Sequence, residues 1–167
     1  MGYGLPAAIG ACVANNRKST VCIEGDGSIM MNIQELQTIK HNKLPVKVFI
    51  LNNNGYMSIK QTQRNFFDGR MTGAGEDSGV SVPDFNAVAQ AFGLKSIKIC
   101  DNTKMQEQIR SVLESSEPVV CNVIVKPDYI FTPKLSSRKL EDGTMISASL
   151  EDMYPFLDRE EYNSCFI

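Results

Sequence analysis

Apolar and polar residues fall along this chain in short blocks whose spacing switches between helical and extended periods. Leu5 to Asn15 is alanine-rich and apolar nearly all round, with Pro6 acceptable in a first turn, which predicts a helix buried against a sheet or a partner. Thr20 to Glu24 is a β-branched run that stops at Gly25-Asp26-Gly27-Ser28, the pattern of a strand ending in a tight loop. Asn32 is placed to cap the next helix, with Glu35 three residues on as in a capping box and Ile33, Leu36 and Ile39 along one side. Val46 to Leu51 is too continuously apolar for a sheet wetted on one face, and it ends at Asn52-Asn53-Asn54-Gly55. Lys60 to Val82, with Gly69, Gly73, Gly75 and Gly79 and little periodicity, reads as a long mobile loop of the kind that carries function.

Asp84 then caps a helix with Phe85, Val88, Ala89 and Phe92 at helical spacing, closed by Gly93, and Lys95 to Cys100 is a strand. Thr103 and Gln106 repeat the capping-box spacing ahead of Met105, Ile109, Val112 and Leu113, and Pro118 opens the most apolar strand, Val119 to Val125. This alternation predicts an α/β fold: three α/β/α layers around a central, mostly parallel sheet joined by right-handed crossovers. From Lys126 onward the character changes to scattered prolines, a polar Ser136-Ser137-Arg138-Lys139 stretch and an acidic, aromatic end. The expected organisation is a domain over 1–125, cut short at its N-terminus, and an arm over 126–167 packed on the domain or a neighbouring subunit.

Composition narrows the function classes. The 167 residues, 43% hydrophobic and 22% charged, suffice for one core, and a net charge of −2 with scattered lysines and arginines gives no footprint for nucleic acid. No apolar run is long enough to cross a bilayer, and Met1 is followed by Gly-Tyr-Gly-Leu-Pro rather than a basic, then apolar leader. Five cysteines without a C-x-x-C pair predict reduced thiols in a cytoplasmic protein, with Cys22, Cys100 and Cys121 as inert core thiols in strand-like runs.

Two polar loops carry the candidate chemistry. In an open parallel sheet ligands bind outside the carboxyl ends of the strands, and both Gly25 to Ser28 and Asn52 to Gly55 lie at such ends. One crossover returns the second loop to the edge of the first, so Asp26 and Asn53 can converge on one ion. A carboxylate and an amide oxygen are hard ligands of the sort magnesium accepts, with remaining positions left to phosphate and water. Gly25 and Gly27 permit close backbone approach, and the Gly27 and Ser28 amides and the Ser28 hydroxyl are expected to donate to phosphate oxygens. Gly-Asp-Gly alone is a common turn; its pairing with Asn-Asn at the next strand end is what is informative.

These residues, together with Met1-Gly-Tyr-Gly-Leu-Pro-Ala-Ala-Ile-Gly10, the run from Gly25 to Tyr56, and Pro83-Asp84-Phe85 through Ala91-Phe92-Gly93-Leu94, resemble the C-terminal domain of the acetolactate synthase and pyruvate decarboxylase group of thiamine-diphosphate enzymes. The resemblance covers about the first 125 residues. It implies thiamine diphosphate and Mg2+ as cofactors, with Asp26, the Asn53 side chain and the Gly55 carbonyl as metal ligands. It further implies diphosphate donors at Gly27, Ser28 and the Met57 and Ser58 region. By the same resemblance Met1 is expected to take the place of the large apolar residue that keeps the cofactor bent, so that its aminopyrimidine can remove the thiazolium proton ahead of attack on a 2-oxo acid. The activating glutamate is expected on a pyrimidine-binding domain of the same or a neighbouring chain in a homo-oligomer, so no catalytic residue is assigned here.

The resemblance implies an acetolactate-synthase-like carboligase or decarboxylase, of which this chain is a fragment inactive alone. Alternatives are the β subunit of a split thiamine-diphosphate decarboxylase, or a non-catalytic assembly module of this fold. Ile59 stands where the group's decarboxylases place a glutamate, which weakens a simple pyruvate-decarboxylase assignment. His41 reads as a helix C-terminal residue rather than a base, Met30 and Met31 as packing residues, and Gly2 with Gly4 as no dinucleotide fingerprint, since no strand precedes them.

Overall fold

The computed structural model describes residues 1–127, 129, 132–139 and 142–166. The chain divides into two compact units, 1–128 and 129–167. The first contains, in order, α1 (Gly4–Ala14), β1 (Thr20–Gly25), α2 (Asp26–Ile29), α3 (Glu35–Asn42), β2 (Val46–Asn52), α4 (Met57–Phe66), a 3-10 turn at Glu76–Ser78, α5 (Phe85–Ala91), β3 (Lys95–Ile99), α6 (Asn102–Glu114) and β4 (Val119–Ile124). The four strands form one parallel sheet in the order β1-β2-β4-β3. The expected parallel α/β/α architecture is therefore present.

Alternation along the central strands explains the layers. On β2, Val46, Val48 and Ile50 face the core shared with α1, α3 and α5, where Leu5, Leu36, Ile39, Phe85 and Ala89 are buried. Phe49, pointing the other way, joins Cys121, Val119, Ile99 and Val112 under α6. Toward β1 the second face is bare: Val21 is 47% and Ile23 67% exposed.

Several local expectations are corrected. Asn32 does not cap a helix; α3 begins at Glu35, and the Asn32 amide donates instead to the Gly2 carbonyl at 2.6 Å, a tertiary partner winning over the local one. Glu35 accepts from Thr38 rather than closing a capping box. The stretch expected as a loop from Lys60 is helical through Phe66, and because α4 has no buried residue there was no core-facing stripe to reveal it. Asp101, not Thr103, caps α6, accepting from the Thr103 amide and hydroxyl at 2.8 Å each. The α1 helix is buried on one face only, through Leu5, Ala8 and Cys12. Cys100 lies just past the end of edge strand β3 and is exposed, whereas Cys12, Cys22 and Cys121 are buried. Asp84 caps α5 as the sequence predicts, accepting from Asn86 and Ala87.

The second unit holds an antiparallel pair, β5 (Ser137–Lys139) with β6 (Met145–Ser147), and a short helix, α7 (Arg159–Ser164). Asp158 caps α7, and Arg159 pairs in bidentate fashion with buried Asp152 at 2.8 and 2.9 Å. That pairing holds the guanidinium pKa above its ordinary value. No helix among the described residues is long and apolar enough to cross a membrane.

Candidate metal and diphosphate site

Parallel pairing of β1 with β2, with Gly25 opposite Leu51, brings both strand ends to one edge of the sheet. Asp26 follows directly as the first residue of α2, and it is 1% exposed. A carboxylate this deep needs donors, and it has them. Oδ1 accepts from the Gly27 amide at 2.7 Å, while Oδ2 accepts from the amides of Asn53 at 3.1 Å and Gly55 at 3.0 Å. Asp26 thus ties the two loops together.

On Asn53, whose backbone amide donates to this carboxylate, the side-chain Oδ1 is buried without a hydrogen-bond partner among the described residues. A buried amide oxygen left unsatisfied is costly unless something else fills its lone pairs. An amide oxygen on the residue whose backbone amide contacts Asp26 suits a hard cation, and the described residues supply this oxygen with no protein donor. Among the described residues no group of three His, Cys, Asp or Glu side chains could hold a metal, so any ion here rests on a mixed set of carboxylate, amide and backbone oxygens.

The Asn-rich loop is braced from two sides. The Asn52 amide donates to Asn122 at 3.2 Å, and Asn122 donates to Asn86 at 3.0 Å, linking the loop through β4 to α5. Gly55, at φ +137°, bridges to Gly75, and the Tyr56 amide donates to Ala74 at 2.8 Å. A side chain at Gly55 would put its Cβ 2.5 Å from the Ala74 carbonyl, and one at Gly27 would put it 2.3 Å from the Tyr56 ring. Both glycines therefore serve close approach.

Of the expected phosphate donors, Met57 and Ser58 open α4, whose N-terminus has no side-chain cap. Its first amides lack intrahelical acceptors and carry the positive end of the helix dipole, a setting that suits an anion. The Gly27 amide and Ser28 hydroxyl are not free as expected. The first donates to Asp26, and the second donates to Glu24 at 2.5 Å. Met1 is 70% exposed; Met30 and Met31, expected to pack, are 39% and 51% exposed. His41 lies exposed in the last turn of α3.

Sequence reasoning missed Glu24, Tyr56 and the Ala74-Gly75 clasp. Glu24 was legible in principle, since it shares a face with buried Cys22 by the two-residue period of a strand. The clasp had no local signal. Burial, with Glu24 nearby, pushes the Cys22 thiol up to about 11, and burial alone does the same for Cys121.

The first two strands of the parallel sheet thus end in a buried carboxylate and an orphaned amide oxygen, and an uncapped helix N-terminus follows them. Residues 1–123 match the family "Thiamine pyrophosphate enzyme, C-terminal TPP binding domain", and the chain belongs to it. Its cofactor is thiamine diphosphate. The chain is 42% identical over 126 residues to the acetolactate synthase large subunit of Parasynechococcus marenigrum, covering 75% of this chain and 20% of that protein. It is 42% identical over 139 residues to that of Pyropia yezoensis, covering 83% and 23%. Against the Escherichia coli isozyme 2 large subunit the figures are 39% over 125 residues, 75% and 22%. The chain spans about a fifth of the length of the curated relatives it matches.

Proposed function

We propose that this chain grips the diphosphate end of thiamine diphosphate through a magnesium ion held by Asp26, the Asn53 side chain and the Gly55 carbonyl. The observation that carries this reading is the orphaned Oδ1 of Asn53, a residue whose backbone amide donates to the buried Asp26 carboxylate. The uncapped amides at Met57 and Ser58 and the backbone of Gly25, Gly27 and Ser28 would hold the phosphates, and Met1 would pack on the rings. When bound, the cofactor supplies the carbanion chemistry that cleaves or joins carbon bonds next to a 2-oxo group. The residues of this chain bind and orient it.

The whole enzyme, on this reading, acts on 2-oxo acids as an acetolactate-synthase-like carboligase or decarboxylase. The activating glutamate belongs to a pyrimidine-binding domain of the same or a neighbouring chain in a homo-oligomer. The bare apolar face at Val21 and Ile23 supports further protein packing here, and the chain's span of about a fifth of its relatives' length supports little activity from the isolated chain. Free thiols in the described residues support a reducing, cytoplasmic setting.

Calorimetric titration with thiamine diphosphate, with and without magnesium, tests the anchor on the native chain and on Asp26→Asn, which keeps an acceptor for the loop amides. Heat that depends on magnesium and disappears in the variant supports it. Equal heats in both proteins overturn it.

A further inference from the structure

Glu24, the residue before Gly25, is only 8% exposed and sits against the first residue of α1, where a Cβ on Gly4 would lie 2.5 Å from Oε2. The first-turn amides of α1 lack intrahelical acceptors and present the positive end of the helix dipole, which favours a carboxylate there. Oε2 has no hydrogen-bond partner, while Oε1 accepts the Ser28 hydroxyl at 2.5 Å. The Ser28 hydroxyl is the donor of that bond and the Glu24 oxygen its acceptor. The Ser28 oxygen is then left to accept, and the Gly2 amide donates to it at 2.9 Å. Asn32 completes the link by donating to the Gly2 carbonyl at 2.6 Å.

The peptide groups on both sides of Gly2 are therefore fixed to the loop that begins at Asp26. Gly2 is itself buried with φ +77°, and a Cβ there would meet Met31 at 2.7 Å. The backbone that carries Met1 is held although the Met1 side chain is exposed.

We infer that Glu24 is a positioning residue for the ring end of the cofactor: it draws the Ser28 hydroxyl to itself and so reserves the Ser28 oxygen for the amide that anchors Met1. The inference rests on the reading of Met1 and the diphosphate loops given above. Ser28 has one hydroxyl proton, and directing it to Glu24 leaves only backbone donors from this loop for phosphate. Glu24 thus affects how the rings are held and not how the diphosphate is anchored.

Magnesium pyrophosphate shares the anchor but has no rings, so comparing its affinity with that of magnesium thiamine diphosphate separates the two effects in the 167-residue chain. Glu24→Ala, and Asn32→Ala at the half-exposed end of the link, are each expected to weaken thiamine diphosphate about tenfold, the scale of one lost hydrogen bond, while pyrophosphate stays within about twofold. Glu24→Gln keeps an acceptor for Ser28 and restores most of the difference. Should Glu24→Ala fail to fold, Asn32→Ala decides. Equal weakening of both ligands, or of neither, overturns the positioning role. A native chain that does not bind magnesium pyrophosphate removes the anchor itself, and the inference falls with it.

Discussion

The carboxylate of Asp26 accepts a hydrogen bond from the Gly55 amide at 3.0 Å, joining residues 29 positions apart, and accepts a second from Asn53 through the same oxygen. This contact assembles the site before any ion arrives. Asp26→Ala leaves two loop amides without their acceptor and is expected to cost roughly 2–4 kcal/mol of stability. Asp26→Asn, which keeps one acceptor oxygen, should cost less than half of that. Urea unfolding of the two variants checks the order; equal losses would mean that the carboxylate does not organise the loops.

Gly27 and Gly55 are predicted to differ in how they tolerate a methyl group. At Gly27 the added Cβ meets the half-buried Tyr56 ring, a side chain that can swing away. At Gly55 it meets the Ala74 carbonyl, at a φ of +137° that L residues rarely adopt. Tyr56→Ala should therefore rescue most of the stability lost in Gly27→Ala. Gly55→Ala should remain about 1–3 kcal/mol below the native chain in either background. Thermal melts of the double-mutant cycle give the coupling, and rescue at Gly55 would contradict the assignment.

The buried thiols make an alkaline prediction. Cys22 and Cys121 ionise near 11 in the folded chain, against an ordinary value of 9.0, so between these pH values the unfolded chain releases protons that the folded chain keeps. Their contribution to stability is intact below pH 9.0 and falls as pH rises toward 11. Each thiol costs at most about 3 kcal/mol over that range. Urea melts at pH 8 and pH 10.5 should show a smaller alkaline loss in a Cys22→Ala, Cys121→Ala variant than in the native chain. In the same folded chain, iodoacetamide should label Cys100 and Cys165 and spare Cys12, Cys22 and Cys121.

Most of the sheet was legible because its strands announce themselves twice, by apolar runs and by the polar loops that end them. Asp84 capped its helix as the local signal requires, its carboxylate accepting from the Asn86 and Ala87 amides. Asn32 misled because one did: the Gly2 carbonyl, 30 positions away, took the side chain a helix cap would have used. The α4 helix was invisible since none of its residues is buried, and periodicity is a signal only where a core imposes it. The site divided along the same line. Asp26, which joins the two strand-end loops, stood out by type and place, whereas the contacts of Glu24 and Ala74 are ones that only folding creates.

The central claim, that Asn53 Oδ1 is held unsatisfied for a cation, separates binding from stability in a single substitution. Asn53→Ala removes an orphaned acceptor, so its stability should stay within about 0.5 kcal/mol of the native chain or rise. Its magnesium-dependent binding of thiamine diphosphate should nevertheless drop at least tenfold by calorimetry, the scale of losing one ligand of a small ligand set. An Asn53→Ala chain that binds the magnesium cofactor as tightly as the native chain would contradict the account.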